Sequence, residues 1–444
     1  MKEYKDCRNP VLPPHICIPD PEAHVMPDGR VYVYGSWDQE EKGFCSQEYK
    51  VLSSANMVDW IDHGVSFHSN QVPWIYDEHA PKYPGVDPSK PSPFMIKLYE
   101  LAARHGITEA PEQKSDMLFA PDAIYKDGKY YLYFCMSDDS EGVAIADKPE
   151  GPFADPVQLP CGGIDPAVFI DDDGQAYFYW GQFYANGVKL KDNMVEFEEG
   201  TIVYNLITEE EHYFHEGSSV RKHGETYYSV YSSIKRGKPT SLAYATSQSP
   251  LGPFQYRGII IDNDGCDPMS WNNHGSIEEV NGQWFVFYHR TSQYRQNKRR
   301  LCIEPIFFNE DGTIQEVLMT SQGAGRPFGI DERIEAYHAC QLSGSVYIAP
   351  SKNGGEALIG ISDEDQAVFR YTEWENLIDN VSVEANGSGE ILIYLDDENE
   401  AAGIVVLDRG KCLSSSFSGK PGKHEVRLEF RKVRDLEVQA ITFR

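Results

Sequence analysis

Three acidic residues and a histidine share one position in a repeating pattern. Asp20 stands nine residues before Gly29, Asp165 nine before Gly174, Glu216 eight before Gly224 and His274 eight before Gly282. Ala120 holds the corresponding place before Gly128, with Asp122 two residues on. The local sequences are IPDPEAHVM, GIDPAVFID, HEGSSVRK and WNNHGSIEEV. Paired carboxyl groups can do acid–base work across a bond. In inverting glycoside hydrolysis an ionised carboxylate activates water and a protonated one donates to the leaving oxygen, about 6.5–9.5 Å away. A third carboxylate nearby raises its neighbour's pKa or orients the sugar. Taken singly, an Asp before Pro is commonly a turn residue; the shared register argues for a site. Asp122, in APDAIYKDG, reads as structural. His274 reads either as a satisfied core histidine or as a metal or network residue.

The elements that position these groups are hairpins. The segments PDGRVYVYGS, KDGKYYLYFC, DDGQAYFYWG, KHGETYYSVY and VNGQWFVFYH each place a Gly after a turn residue and before an aromatic-rich strand. Such dipeptides between alternating apolar runs are strong hairpin signals. ANMVDW and DNMVEF, and the variants EGPF and LGPF, recur where each unit would end. Units of about 50 residues, each of several short strands, predict an all-β chain whose main part is a five-bladed β-propeller. The strand before each hairpin is then innermost, and equivalent positions converge on the central funnel. Proline is tolerated at such a strand start, and Gly217 lets the backbone pass close to a ligand.

The first spacing is longer, and residues 70–116 account for it. They are Pro-rich and carry one predicted helix, with Ser92 as N-cap, Pro93 at the first helical position and Gly106 at the end. This insertion is either a pocket rim or a packing element.

A net charge of −29 repels nucleic acid and anionic membranes and tolerates neutral sugars. The N-terminal MKEYKDCRNPVLPP lacks the apolar stretch of an export signal. Nine scattered cysteines without a C-x-x-C pair suggest reduced thiols, so a cytoplasmic location is expected. Nothing in the sequence sets the oligomeric state.

The order of I-P-D-P, I-D-P, H-E-G-S and N-H-G-S resembles glycoside hydrolase family 43, over about residues 8–325. FAPDAIYKDGKYYLYF resembles that family's W-A-P-D segment, with Phe119 in place of the usual Trp. The resemblance implies Asp20 as general base, Glu216 as general acid, Asp165 as pKa modulator, an inverting mechanism and five blades. It implies that His274 is an axial histidine that coordinates calcium in some members, and that Arg290, in FYHR, lies near the substrate. No cofactor is implied for the chemistry itself; a structural calcium is the one metal expected. Residues 299–323 resemble members acting on arabinose-bearing polymers, which favours an exo-acting α-L-arabinofuranosidase over a β-xylosidase or an endo-arabinanase. The preceding basic run YRQNKRR reads otherwise as a solvated charge cluster. Trp37 and Phe119 are candidate sugar-stacking walls, or plain core aromatics. A neutral oligosaccharide is the expected partner. The rival from another class is a catalytically silent, sugar-binding propeller.

The propeller is expected over 1–326. Residues 333–444, rich in short strands and polar Gly turns, predict a second domain, a β-sandwich. Its opening RIEAY resembles carbohydrate-binding module family 6 in part, with Tyr337 replacing an acid and Glu335 keeping one expected calcium-ligand position. Tyr371 and Trp374 are its candidate sugar-stacking residues, or core. The domain either binds sugar or buttresses the propeller.

Overall fold

The computed structural model describes residues 1–39, 43–77, 116–352, 354–408 and 413–444. The helix expected over 92–106, and most of the 70–116 insertion, lie outside these residues. The part of the insertion that is described packs. Pro73–Tyr76 forms a 3-10 turn whose Trp74 stacks on Phe134 at a centroid distance of 6.1 Å and donates from Nε1 to Ser140 Oγ.

Five antiparallel sheets follow one another along the chain. The first holds Glu22–Val25, Val31–Gly35, Glu48–Ser54 and Trp60–His68, with Lys2–Tyr4 added at its outer edge. The second holds Asp122–Lys126, Lys129–Cys135, Ser140–Ala146 and Ala154–Gly162. The third holds Ala167–Ile170, Ala176–Trp180, Tyr184–Lys189 and Val203–Thr208. The fourth holds Phe214–His223, Thr226–Ser233, Ser241–Ser247 and Gln255–Asp262. The fifth has three strands, Ser276–Val280, Gln283–Ser292 and Arg295–Pro305. The first strand of each sheet touches the first strand of the next, and the fifth returns to the first, so the ring closes. This is a five-bladed propeller. The hairpin glycines 29, 128, 174, 224 and 282 all sit at φ between 59° and 85°, the left-handed region the turns require.

The ring is closed by the N-terminus as well as by packing. Val11 N donates to Leu301 O, and Asn9 exchanges side-chain hydrogen bonds with Ile303 N and O. Residues 9–11 thus lie along the fifth blade, while Lys2–Tyr4 lies on the first.

A charged knot on the axis ties all five inner strands. Arg221, on the fourth, donates to Glu22 Oε1 (2.8 Å) and Ala23 O (2.5 Å) of the first and to Glu278 Oε2 (2.7 Å) of the fifth. His24 Nε2 lies 2.7 Å from Asp122 Oδ1 of the second blade, and Asp122 Oδ2 accepts from Val168 N of the third. Burial, then the neighbouring Asp122 charge, pushes Glu22 up to about 7; burial pushes Asp122 up to about 7 and brings His24 down to about 4. Asp122 is structural, as expected, but as a buried brace between blades.

The C-terminal residues build a nine-stranded antiparallel sheet around two long strands, Ile378–Leu395 and Gly422–Phe443. Its hydrophobic cluster draws only on residues from Phe328 onward. Trp374 belongs to that cluster at 3% exposure, so it is core and not a sugar platform; Tyr371 is half-buried beneath Lys423. The sheet is bonded to the propeller. Arg300 makes a buried two-point ion pair with Glu356, Gln293 donates to Glu356, and Cys340 and Val368 join the cluster of the fourth and fifth blades.

Removing a partner from a buried ion pair costs about 3–5 kcal/mol, because an uncompensated charge is left behind. Arg221→Met should therefore lower the thermal unfolding midpoint of the propeller markedly, measured by calorimetry; an unchanged midpoint would show that packing alone closes the ring.

Candidate active site

Asp20 and Asp165 each precede a proline and an inner strand, and each adopts left-handed backbone, at φ 55° and 57°. Asp tolerates that region better than most residues, and strained backbone concentrates at functional sites. Glu216 lies within its inner strand, where the pairing register is broken on both sides of it. Gly217 follows at φ 68°, and a Cβ there would lie 2.8 Å from the His274 ring. Only glycine lets the strand bend over His274 in this way.

His274 Nδ1 lies 3.8 Å from Asp20 Oδ1 and 3.8 Å from Asp165 Oδ2, so the structure brings three of the four register positions directly together. Glu216 joins them through charge: it is the strongest electrostatic neighbour of Asp165. Asp20 and Asp165 are buried, and the Glu216 side chain is 12% exposed.

The two buried carboxyls are treated oppositely. Burial alone would raise Asp20, but Arg299, His274, His289 and a hydrogen bond from Ser36 Oγ (2.8 Å) hold it below the usual carboxylate range. Arg299 Nη1 donates to Asp20 Oδ1 at 2.8 Å, while its Nε and Nη2 clasp both oxygens of Asp38 at 2.9 Å. Asp165 has no such clasp. Burial, then the charges of Glu216 and Asp20, pushes it well above the usual range.

A chain of hydrogen bonds joins the two sides. Asp20 N donates to His289 Nδ1 (3.4 Å), His289 Nε2 donates to Asn272 O (3.2 Å), and Asn272 Nδ2 donates to Glu216 Oε1 (3.3 Å). Burial, then the Arg299 charge, brings His289 down to about 3, so this imidazole is neutral and has one N–H to give. Gln182 Nε2 donates to Glu216 Oε2 at 2.6 Å.

Several of these residues carry a signal that counting back from the hairpin glycine overlooks. Ser36, Cys135, Gln182 and His289 stand seven or eight residues after Gly29, Gly128, Gly174 and Gly282. Ser36, Cys135 and Gln182 sit at or just past the end of a second strand and His289 within one, and each touches a register carboxylate or its backbone: Cys135 Sγ accepts from Asp165 N. Arg299 and Arg300 were expected in a solvated cluster. They are 3% and 1% exposed, because the fifth blade's third strand is covered on both faces.

Other expectations need correction. Arg290 is not at the carboxylates. It shares a strand face with Tyr288, opposite His289, and donates to Tyr288 Oη, Glu304 Oε1 and Thr320 O in a fully buried network. Strand alternation sends its neighbour His289 to the site instead. Glu335 pairs with Arg333 and joins no group of metal-ligating atoms among the described residues. Nor does His274 belong to one: the described donors that come within 4.8 Å of one another are those of Glu22, His24 and Asp122. That spacing is one a divalent ion could use, but Arg221 already sits on the same Glu22 oxygen and supplies the cation. At this triad the arginine supplies the positive charge that calcium would otherwise bring. Trp37 and Phe119 are half-buried and lie outside the hydrophobic clusters; Trp37 carries Lys50 Nζ over its ring at 4.1 Å.

Residues 99–314 match the model of glycosyl hydrolases family 43. A xylosidase/arabinosidase of Thermoclostridium stercorarium is 32% identical over 75% of this chain and 72% of its own. The chain belongs to glycosyl hydrolase family 43. A β-xylosidase/α-arabinofuranosidase of the family from a compost microbial metagenome, solved with xylotriose, superposes with a TM-score of 0.56 at 28% identity, over 71% of this chain and 99% of that one. An arabinoxylan arabinofuranohydrolase from Bacillus subtilis, solved with cellotetraose, shares the fold over 98% of this chain and 97% of its own, with a TM-score of 0.53 at 23% identity. The chain is thus a glycosidase, and its chemistry needs no cofactor.

One further carboxyl lies behind Asp165. Glu141 is fully buried, and apart from a weak contact with the Cys161 thiol neither of its oxygens has a hydrogen-bond partner among the described residues. Gly163, two residues before Asp165, packs over it. Burial, then the Asp165 charge, pushes Glu141 well above the usual range. A carboxyl raised on folding stabilises fully below its unfolded pKa, about 4.3, and loses that contribution as pH rises. Glu141→Gln should accordingly gain thermal stability relative to the wild type at pH 8 but not at pH 4; an equal difference at both would exclude the buried proton.

Proposed function

We propose that the enzyme is an exo-acting, inverting α-L-arabinofuranosidase that works on short arabinose-bearing oligosaccharides of hemicellulose or pectin. Asp20 is its general base, Glu216 its general acid and Asp165 the modulator between them. The observation that carries this reading is the opposite treatment of Asp20 and Asp165. Arg299 keeps Asp20 ionised and ready to take a proton from water. Burial, then the Glu216 charge, favours the protonated form of Asp165 and keeps negative charge from accumulating beside the leaving group. Glu216, which is not fully buried, is the group that faces the leaving oxygen in this reading. Inversion follows if water enters on the Asp20 side and the leaving group departs on the Glu216 side.

Trp37 adjoins Ser36 and Asp38 in the chain, and Phe119 N donates to the carbonyl of Cys135; their half-buried rings suit the walls of a sugar subsite. A β-xylosidase activity on the same site is favoured by the relatives, whose names carry both activities. The C-terminal sheet we read as a β-sandwich of carbohydrate-binding-module type that buttresses the propeller. Its buried Arg300–Glu356 pair and its share of the apolar cluster beneath the fifth blade support that role, and the burial of Trp374 removes one of its sugar-stacking candidates.

A screen of aryl arabinofuranosides and xylosides identifies the sugar, and tight sugar binding without turnover would instead favour a silent propeller. Asp20→Asn and Glu216→Gln should each lower kcat by about 10²–10⁴-fold with folding intact. Proton NMR of the first-formed anomer should show inversion; a retained anomer excludes the scheme. Arg299→Gln should move the acidic limb of the kcat/KM profile to higher pH, since loss of the cation lets Asp20 take up a proton sooner.

A further inference from the structure

Six of the seven tryptophans are covered. Trp60, Trp74, Trp180 and Trp374 are buried and Trp37 and Trp284 half-buried, whereas Trp271 is 41% exposed. Leaving a large apolar ring in water forgoes about 25 cal/mol for each Å² that could have been buried. A ring held out in this way on a fixed backbone is suited to a ligand.

The backbone around Trp271 is fixed. Ser270 N bonds to Asp267 O, and Ser270 Oγ contacts Cys266 and Asn263. The Asn272 carbonyl accepts from both His289 and Asn263. Asn273 donates from its backbone to Pro239 O and from its side chain to Thr240 O. Trp271 therefore projects from a segment anchored on both sides, which removes most of the ordering cost of binding against it.

Its place relative to the chemistry is set by its neighbour. Asn272, the next residue in the chain, donates from Nδ2 to Glu216 Oε1, so the backbone that carries Trp271 is tied to that carboxylate. We propose that Trp271 is the platform on which the leaving-group sugar stacks, the neutral sugar unit that remains after the terminal residue is cut off. The apolar C–H face of a pyranose ring fits the indole face, and neither partner needs a charge. The placement rests on Glu216 being the general acid, because the acid must stand beside the leaving oxygen.

The test compares two substrates of the sugar the enzyme accepts: a short xylo-oligosaccharide conjugate and the corresponding glycosyl fluoride. The fluoride leaving group is too small to reach the ring. Trp271→Ala should raise KM for the oligosaccharide roughly five- to tenfold, the effect of one stacking contact. It should leave kcat and fluoride hydrolysis near wild type. Trp271→Phe should restore most of the loss. Equal loss on both substrates, or no change on either in an active enzyme, overturns the platform. A wild type that hydrolyses neither overturns the activity, and this placement with it; the two failures differ in whether the wild type is active.

Discussion

The structure depends on one buried arginine. Five blades present five inner strands to a common axis, and polar backbone and carboxylates there have no water to turn to. Arg221 answers for three blades at once, and Asp122 carries the network to the remaining two. A buried guanidinium with several acceptors offsets its own desolvation only when every donor is used. Here its donors go to Glu22, Glu278, Ser219 and the carbonyls of Ala23 and Val220. The funnel can then hold acidic groups close together without the strands drifting apart.

The same principle, applied unevenly, gives the site its polarity. Asp20 receives a hydrogen bond from Arg299, itself fixed by Asp38, whereas Asp165 has no arginine or lysine bonded to it among the described residues and feels the Arg299 charge only more weakly than those of Glu216 and Asp20. One carboxyl is stabilised in its charged form, while the other is left to the cost of burial and to the repulsion of Glu216. The hydrogen-bond chain through neutral His289 and Asn272 spans the two sides, so their spacing is set by a rigid path and not by side-chain chance.

Much of this was legible in the sequence. The hairpin glycines marked every blade, and counting back from them reached Asp20, Asp165, Glu216 and His274, because a repeat carries its geometry with it. Counting forward reaches Ser36, Cys135, Gln182 and His289 by the same logic. Arg290 was misplaced for a reason of parity: adjacent strand residues face opposite ways, and a one-residue shift separates a site residue from a buried brace. Arg299 and Arg300 looked solvated because charge runs usually are; nothing local reveals that a strand will be covered on both faces. Trp374 was ambiguous for a related reason, since an aromatic on a strand reads alike whether it meets solvent or core.

Arg299 and Arg300 sit side by side on one strand and look in opposite directions, one toward Asp20 and the other into the C-terminal sheet through Glu356. The carboxylate cluster and the appended sheet thus meet on two faces of a single peptide. Recombination that swapped the C-terminal part for another would strand a guanidinium in a dry interface, one residue from the group that holds Asp20. The Arg300–Glu356 pair thus couples the integrity of the C-terminal sheet to the strand that positions Asp20.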